Sequence, residues 1–104
     1  MALFIEPGTT TVEVDGEQVE VKILTGSERV KLQREMLAVY RLFEGKEPGE
    51  RLSHEETLDA QDAYFRALKI GLKTDPDTIL PDKWESIVTE VIKANEVDGD
   101  DAKN

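Results

Sequence analysis

The single histidine of the chain is the first residue to consider for metal or acid–base chemistry. His54 opens the run HEETL, which is similar to the beginning of a zinc-protease helix. That motif requires a second histidine on the same helical face to complete the ligand set, and the run has none. We therefore expect His54 to lie at the surface, where a helix begins, and not to bind a metal.

Carboxylates are abundant, but their surroundings do not indicate catalysis. Acid–base catalysis needs a carboxyl group whose pKa is raised in an apolar pocket, whereas Glu55 and Asp59 lie in a polar stretch. The segment DGDD at 98–101 is similar to half of a calcium loop, but it lacks the acidic twelfth position and the flanking helices. No serine lies in a G-x-S-x-G context. The sequence predicts a protein that is not an enzyme and has no metal or cofactor.

The composition limits the classes of partner. The chain of 104 residues has a formal net charge of −10, so phosphate backbones and acidic membrane surfaces would be repelled and basic proteins remain possible partners. No apolar run approaches the roughly 20 residues of a membrane span, and MALFIEPG lacks the basic region of a signal peptide. The absence of cysteine fits a reducing compartment. We expect a cytoplasmic protein.

An apolar stripe near the C-terminus is the clearest candidate for a functional surface. In the segment LPDKWESIVTEVIKAN, apolar residues recur with the spacing of an amphipathic helix. Tryptophan is enriched at binding hot spots, but it also closes small cores. The spacing therefore leaves open whether the stripe is core or docking surface. Its members are Trp84, Ile87, Val88, Val91 and Ile92, followed by Asn95.

The elements that must position these residues begin with a predicted β-hairpin. Residues 10–24 alternate between apolar and polar side chains around Asp15-Gly16, a strong turn signal. A two-residue loop would pair Val12 with Val19. A four-residue loop would pair Val14 with Val19 and Val12 with Val21, which matches more apolar pairs, so we prefer it.

Two capped helices follow the hairpin. In the first helix, Thr25 and Glu28 form a capping box and Gly45 provides the stop. Val30 and Leu37 form a second seam away from the main stripe, so this helix either lies between two layers or faces a partner. The main stripe consists of Leu32, Met36, Val39, Tyr40 and Phe43.

In the second helix, Ser53 and Glu56 repeat the capping box. A stripe of larger apolar residues is expected to be buried, with small residues on the opposite side. That small-residue side is either exposed to solvent or a place where another subunit approaches closely. The predicted buried stripe is Leu58, Phe65, Leu68 and Leu72, and the small residues are Ala60, Ala63 and Ala67.

These elements predict an α+β domain over 1–95 in which the N-terminal β-hairpin packs on a three-helix bundle. Residues 2–6 are apolar enough to add a third short strand. The acidic tail 96–104 is expected to be disordered. Homo-oligomers could form through the alanine face or an edge strand, and the sequence does not decide between them.

The order of these features resembles that of the tail assembly chaperones of long-tailed bacteriophages. The segment VEVKILTGSERVKLQ (19–33) looks like the family's opening strand leading into a T-x-x-E/D helix. The segment DPDTILPDKWESIVTEVIKAN (75–95) looks like its closing helix, which is anchored by tryptophan. Together the two segments cover about a third of the chain.

The resemblance implies a non-enzymatic helper that binds the tape-measure and tail-tube proteins in the host cytoplasm. Alternatives are an acidic inhibitor or adaptor that occupies a basic protein surface, as a DNA mimic does, and a small head–tail structural protein. A mimic would use an acidic row such as Glu55, Glu56, Asp59 and Asp62. A chaperone would use its apolar seams, for which we predict Val30, Leu37, Trp84, Ile87 and Val91.

Overall fold

The computed structural model describes the backbone of residues 4–103 and the side chains of residues 4–95. It confirms the predicted α+β class, because an antiparallel hairpin is followed by three helices. Two short 3-10 turns connect the second helix to the third. The elements are β1 (Gly8–Val14), β2 (Glu17–Ile23), α1 (Gly26–Leu42), α2 (His54–Gly71), the turns Pro76–Thr78 and Pro81–Lys83, and α3 (Trp84–Lys103).

The register of the hairpin differs from the one that we prefer on sequence grounds. Val12 pairs with Val19, and Val14 lies opposite Glu17, so the loop has two residues and the four-residue loop is wrong. Asp15 and Gly16 have φ values of 52° and 83°. Two successive positive φ angles are typical of a type I′ turn, whose twist matches that of the strands it joins. The favourable backbone geometry of this two-residue turn outweighs the packing of one additional valine pair.

The two ends of the chain bear on two further predictions. The sheet of the described part has two strands, and residues 4–7 precede β1 without joining it. Residues 2 and 3 of the predicted third strand lie outside the described part. The bounds of α3 reach Lys103, but the side chains of 96–104, including the DGDD segment, lie outside the described residues. Disorder of the tail therefore stays a prediction.

Both predicted capping boxes are confirmed. The Thr25 backbone N–H donates to Glu28 at 2.9 Å, and the Glu28 N–H donates to the Thr25 hydroxyl at 3.3 Å. Ser53 and Glu56 repeat the pattern at 2.8 and 3.1 Å. The backbone hydrogen bond from Thr25, followed by the hydrogen bond from Lys22, lowers the pKa of Glu28 below its usual value. Glu28 therefore remains charged at the positive end of the helix dipole.

Helix α2 buries Leu68 and Leu72 of the predicted stripe, but it also buries the alanines that we place on the opposite side. Ala60, Ala63 and Ala67 are 1–5% exposed, whereas Leu58, which we expected inside, is 48% exposed. Leu58 lies on the far side of the helix from the alanines because two residues correspond to roughly 200° of rotation. Small side chains on the inner face let neighbouring helices approach α2 closely. The alanine face is therefore an internal packing surface and is not available to another subunit.

A buried asparagine joins the start of α1 to the end of the described part of α3. The Leu24 N–H donates to Asn95 Oδ1 at 2.8 Å, and Asn95 Nδ2 donates to the carbonyls of Val91 (2.9 Å) and Lys22 (3.2 Å). Arg29 donates to the carbonyls of Leu24 (3.0 Å) and Asn95 (2.9 Å). Asn95 is 6% exposed. Its amide therefore satisfies backbone groups at a corner of the chain that water does not reach.

Replacement of this amide by an isosteric apolar group should destabilise the protein strongly. In Asn95→Leu, the Leu24 N–H and the Lys22 carbonyl lose their partner, so we expect a loss of about 2–3 kcal/mol in the free energy of unfolding. Urea denaturation measures this loss. Thr89→Ala, at an exposed site on the same helix, is the control and should change stability by less than about 0.5 kcal/mol. Equal stabilities for Asn95→Leu and the wild type would contradict the assignment.

Gly71 is a position where α2 and α3 lie in close contact. A Cβ atom there would lie 2.7 Å from Val91 Cγ1, so Gly71→Ala should destabilise by roughly 1–3 kcal/mol, although alanine is the better helix former. The double variant Gly71→Ala with Val91→Ala should lose less free energy of unfolding than the sum of the losses in the two single variants. Gly26→Ala, where a Cβ meets no atom within 4 Å, is the control. Additive losses in thermal unfolding would argue against this contact.

Candidate functional site

Helix α1 has one buried face and one exposed face that also carries apolar residues. Val30, Leu37 and Tyr40 are 51%, 45% and 64% exposed. They follow one another at intervals of seven and three residues, which places them on the same side of a helix. The opposite side holds the buried residues Leu32, Met36 and Val39. We call the exposed set the α1 outer face, and it consists of Val30, Lys31, Arg34, Leu37, Tyr40 and Arg41.

The outer face is open because α1 lies at the edge of the bundle. Helix α2 is its main neighbour, and α3 and the hairpin pack against each other and against α2. The ion pair between Arg66 Nε and Glu35 Oε1, at 2.8 Å, joins the flank of α1 to α2. Nothing in the described part covers Val30 and Leu37. Enclosure of α1 between two layers is therefore wrong, and the second seam faces outward.

Three cations alternate with these apolar residues. Val30, Arg34, Leu37 and Arg41 follow one another at steps of four, three and four, which forms a single row along the helix. Within residues 4–95, the exposed side chains of Lys31, Arg34 and Arg41 form no ion pair. Six other cations of the same range do form one, namely Lys22, Lys46, Arg66, Lys73, Lys83 and Lys93. The outer face is therefore a positive strip on an acidic protein.

Tyr64 links α2 to α3. Its hydroxyl donates to Glu85 Oε2 at 3.1 Å. Burial, followed by the charge of Glu85 and smaller contributions that include Tyr40, raises the pKa of Tyr64 to about 12. Its hydroxyl therefore stays protonated at neutral pH and continues to donate to the carboxylate. This contact joins α2 to α3.

The tryptophan stripe of α3 proves to be mainly core. Ile87 and Val91 are 4% and 0% exposed. The half-buried indole of Trp84 donates its N–H to the carbonyls of Pro76 (3.2 Å) and Ile79 (3.1 Å). Its ring centroid lies 5.2 Å from that of Phe65. Trp84 thus holds the connector against the bundle, and we assign Ile87 and Val91 to internal packing.

The five residues predicted for partner binding do not come together in one site. Val30 and Leu37 lie on the α1 outer face, whereas Trp84, Ile87 and Val91 belong to α3. Tyr40, which the helical pattern predicts to be buried, is 64% exposed, and the predicted set contains none of the cations. The sequence contains a signal for the cations, because Arg34 and Arg41 follow Val30 and Leu37 at the helical interval of four.

A groove lies between the hairpin turn and the 3-10 turns. Its apolar lining includes Val14, Leu72 and Ile79, and Lys83 Nζ pairs with Asp15 Oδ2 across it at 2.6 Å. In the part of the chain that the structure describes, no group of three or more His, Cys, Asp or Glu side chains is arranged to hold a metal ion. The groove therefore offers apolar contact and one salt bridge.

Comparisons with known proteins give no relative from which a role could be transferred. No protein-family model, curated protein or solved structure matches this chain significantly. Among the helices of the described residues, none combines enough length with enough apolar character to cross a bilayer. The features of the chain that bear on its function are the surface of α1 and the resemblance in the sequence.

Two aspartate substitutions should separate surface from core. Leu37→Asp places a charge on an exposed site and should change the free energy of unfolding by less than about 1 kcal/mol. Trp84→Asp removes the ring packing and both indole hydrogen bonds, so we expect a loss of about 3 kcal/mol or more. Chemical denaturation followed by circular dichroism measures both. A destabilised Leu37→Asp protein would show that this seam is part of the core.

Proposed function

We propose that this chain is a non-enzymatic tail assembly chaperone of a long-tailed bacteriophage that binds the tape-measure and tail-tube proteins during assembly. The observation that carries the proposal is the α1 outer face, where Val30, Leu37 and Tyr40 remain exposed on a helix capped by Thr25 and Glu28. The resemblance of segments 19–33 and 75–95 to that family supplies the biological setting.

The physical requirements of such a helper agree with this surface. A tape-measure protein is a long, mostly helical chain with apolar stripes, and a helper that shields it needs a matching apolar seam. It must also remain dissolved while the seam is exposed, and a net charge of −10 serves that purpose. A rigid helix that is already folded loses little conformational entropy when it binds a second helix.

The charge distribution favours a chaperone over an acidic mimic of nucleic acid. A mimic needs an uninterrupted acidic row on an ordered element. The exposed acids Glu55, Asp59 and Asp62 of α2 share their side of the helix with Arg66 and Lys69. Glu56 is paired with Lys46 at 3.1 Å. The row is therefore interrupted by cations and partly neutralised.

Co-expression with the tape-measure protein encoded in the same genome tests the proposal. We expect the two proteins to co-purify and Leu37→Asp to reduce the recovered complex at least tenfold, because a charge would be buried in the apolar contact. Leu58→Asp is the matched control, since Leu58 has a similar exposure of 48% on α2. It should leave recovery unchanged.

Composition of the purified phage particle distinguishes a chaperone from a structural protein. A chaperone leaves before the tail is complete, so mass spectrometry of particles should not detect this chain in stoichiometric amounts. Its presence as a stoichiometric component would instead support the head–tail structural protein. Equal recovery of the tape-measure protein with Leu37→Asp and wild type would show that the α1 outer face is not the docking surface.

A further inference from the structure

The α1 outer face has the residue spacing of a short coiled-coil seam. Val30 and Leu37 are one heptad apart and occupy equivalent a positions, and Gln33 and Tyr40 occupy the d positions of the same two heptads. All four side chains are exposed. A second helix laid along this line would bury the three apolar side chains against its own apolar stripe.

The charges beside this seam determine which helix fits. Arg34 and Arg41 occupy the e positions that directly flank the seam, and Lys31 lies next to Val30 on the same side. These three cations form no ion pair within residues 4–95, so they remain available to a partner. Residues at e positions select the partner through charge, and an acidic flank would gain an ion pair at each arginine.

Pairing of α1 with the α1 helix of a second copy does not fit this requirement. If two α1 helices paired in antiparallel fashion, their e positions would face each other and Arg34 and Arg41 would meet arginines. In a parallel pair, the e positions would face Arg29 and Met36, which occupy the g positions. Neither arrangement supplies an acid, and like charges in contact weaken association.

We propose that the α1 outer face binds an acidic amphipathic helix of another protein, in which an apolar stripe is flanked by glutamate or aspartate. This inference rests on the proposed function and specifies the segment of the partner that docks. The net charge of −10 suggests basic partners for the protein as a whole. At this surface the local charge is positive, so the docking segment is acidic.

Two designed peptides of about 20 residues test the proposal with the full chain. They share one leucine and isoleucine stripe, and the flanking positions carry glutamate in one and lysine in the other. Titrations followed by NMR amide shifts give the affinity and the location of each peptide. We expect the acidic peptide to bind about tenfold or more tightly than the basic one, with shift changes concentrated in residues 30–41.

Charge reversal provides the matched variants. Arg34→Glu with Arg41→Glu should transfer the preference to the basic peptide, because both flanking pairs become attractive to lysine. Lys69→Glu with Lys73→Glu makes the same change in net charge at exposed sites on and after α2 and should leave the preference for the acidic peptide intact. Leu37→Asp should weaken the binding of both peptides.

The outcomes separate this inference from the proposed function. A preference for the basic peptide, with binding still dependent on Leu37, would overturn the acidic partner while retaining the docking surface. If neither peptide binds and Leu37→Asp leaves recovery of the tape-measure protein unchanged, both this inference and the proposed function are overturned. Binding to vesicles of anionic phosphatidylglycerol that depends on Arg34 and Arg41, without binding to the acidic peptide, would assign the face to lipid and overturn the inference.

Discussion

The arrangement of the molecule depends on the amide of Asn95. It accepts a hydrogen bond from the Leu24 N–H and donates to the Lys22 carbonyl, so it fixes the corner where β2 passes into α1. Arg29 strengthens the corner from the other side, through the carbonyls of Leu24 and Asn95. A buried corner without these partners would leave backbone groups unsatisfied. Because this corner sets the direction in which α1 leaves the sheet, it also sets which side of α1 faces the bundle.

The exposed seam of α1 follows from the direction in which this helix leaves the sheet and from the shape of α2. The alanine face of α2 lets the neighbouring helices approach closely, and Gly71 allows contact with Val91 of α3. Such a compact bundle needs only one apolar face of α1 to complete its core. Among the residues that the structure describes, no layer packs against the second face. Its apolar residues are therefore exposed, and Arg34 and Arg41 beside them form no ion pair within residues 4–95.

Much of the fold is predictable because its signals are local. The capping boxes at Thr25 and Ser53 involve residues only a few positions apart, so their patterns identify the starts of two helices. The signal at Asp15-Gly16 places the turn of the hairpin, but the valine pattern favours a loop that is two residues too long. Periodicity identifies the faces of a helix, but it does not say which face becomes core. That choice depends on neighbouring elements. The pattern therefore assigns the alanines of α2 to the wrong face and leaves open whether the Trp84 stripe is core or docking surface. Whether Arg34 and Arg41 find an acid is likewise a property of the assembled structure.

The hairpin is fastened to α3 at two places. At the turn, Asp15 pairs with Lys83 at 2.6 Å, immediately before the helix begins. At the base, the Leu24 N–H meets Asn95 on the same helix. An insertion or deletion in either element would displace one of these attachments, so the lengths of the strands and of this part of α3 must change together. Within residues 4–95, the connector 43–53 between α1 and α2 has no such tie to α3. Natural length variation or a genetically inserted reporter should be tolerated there first.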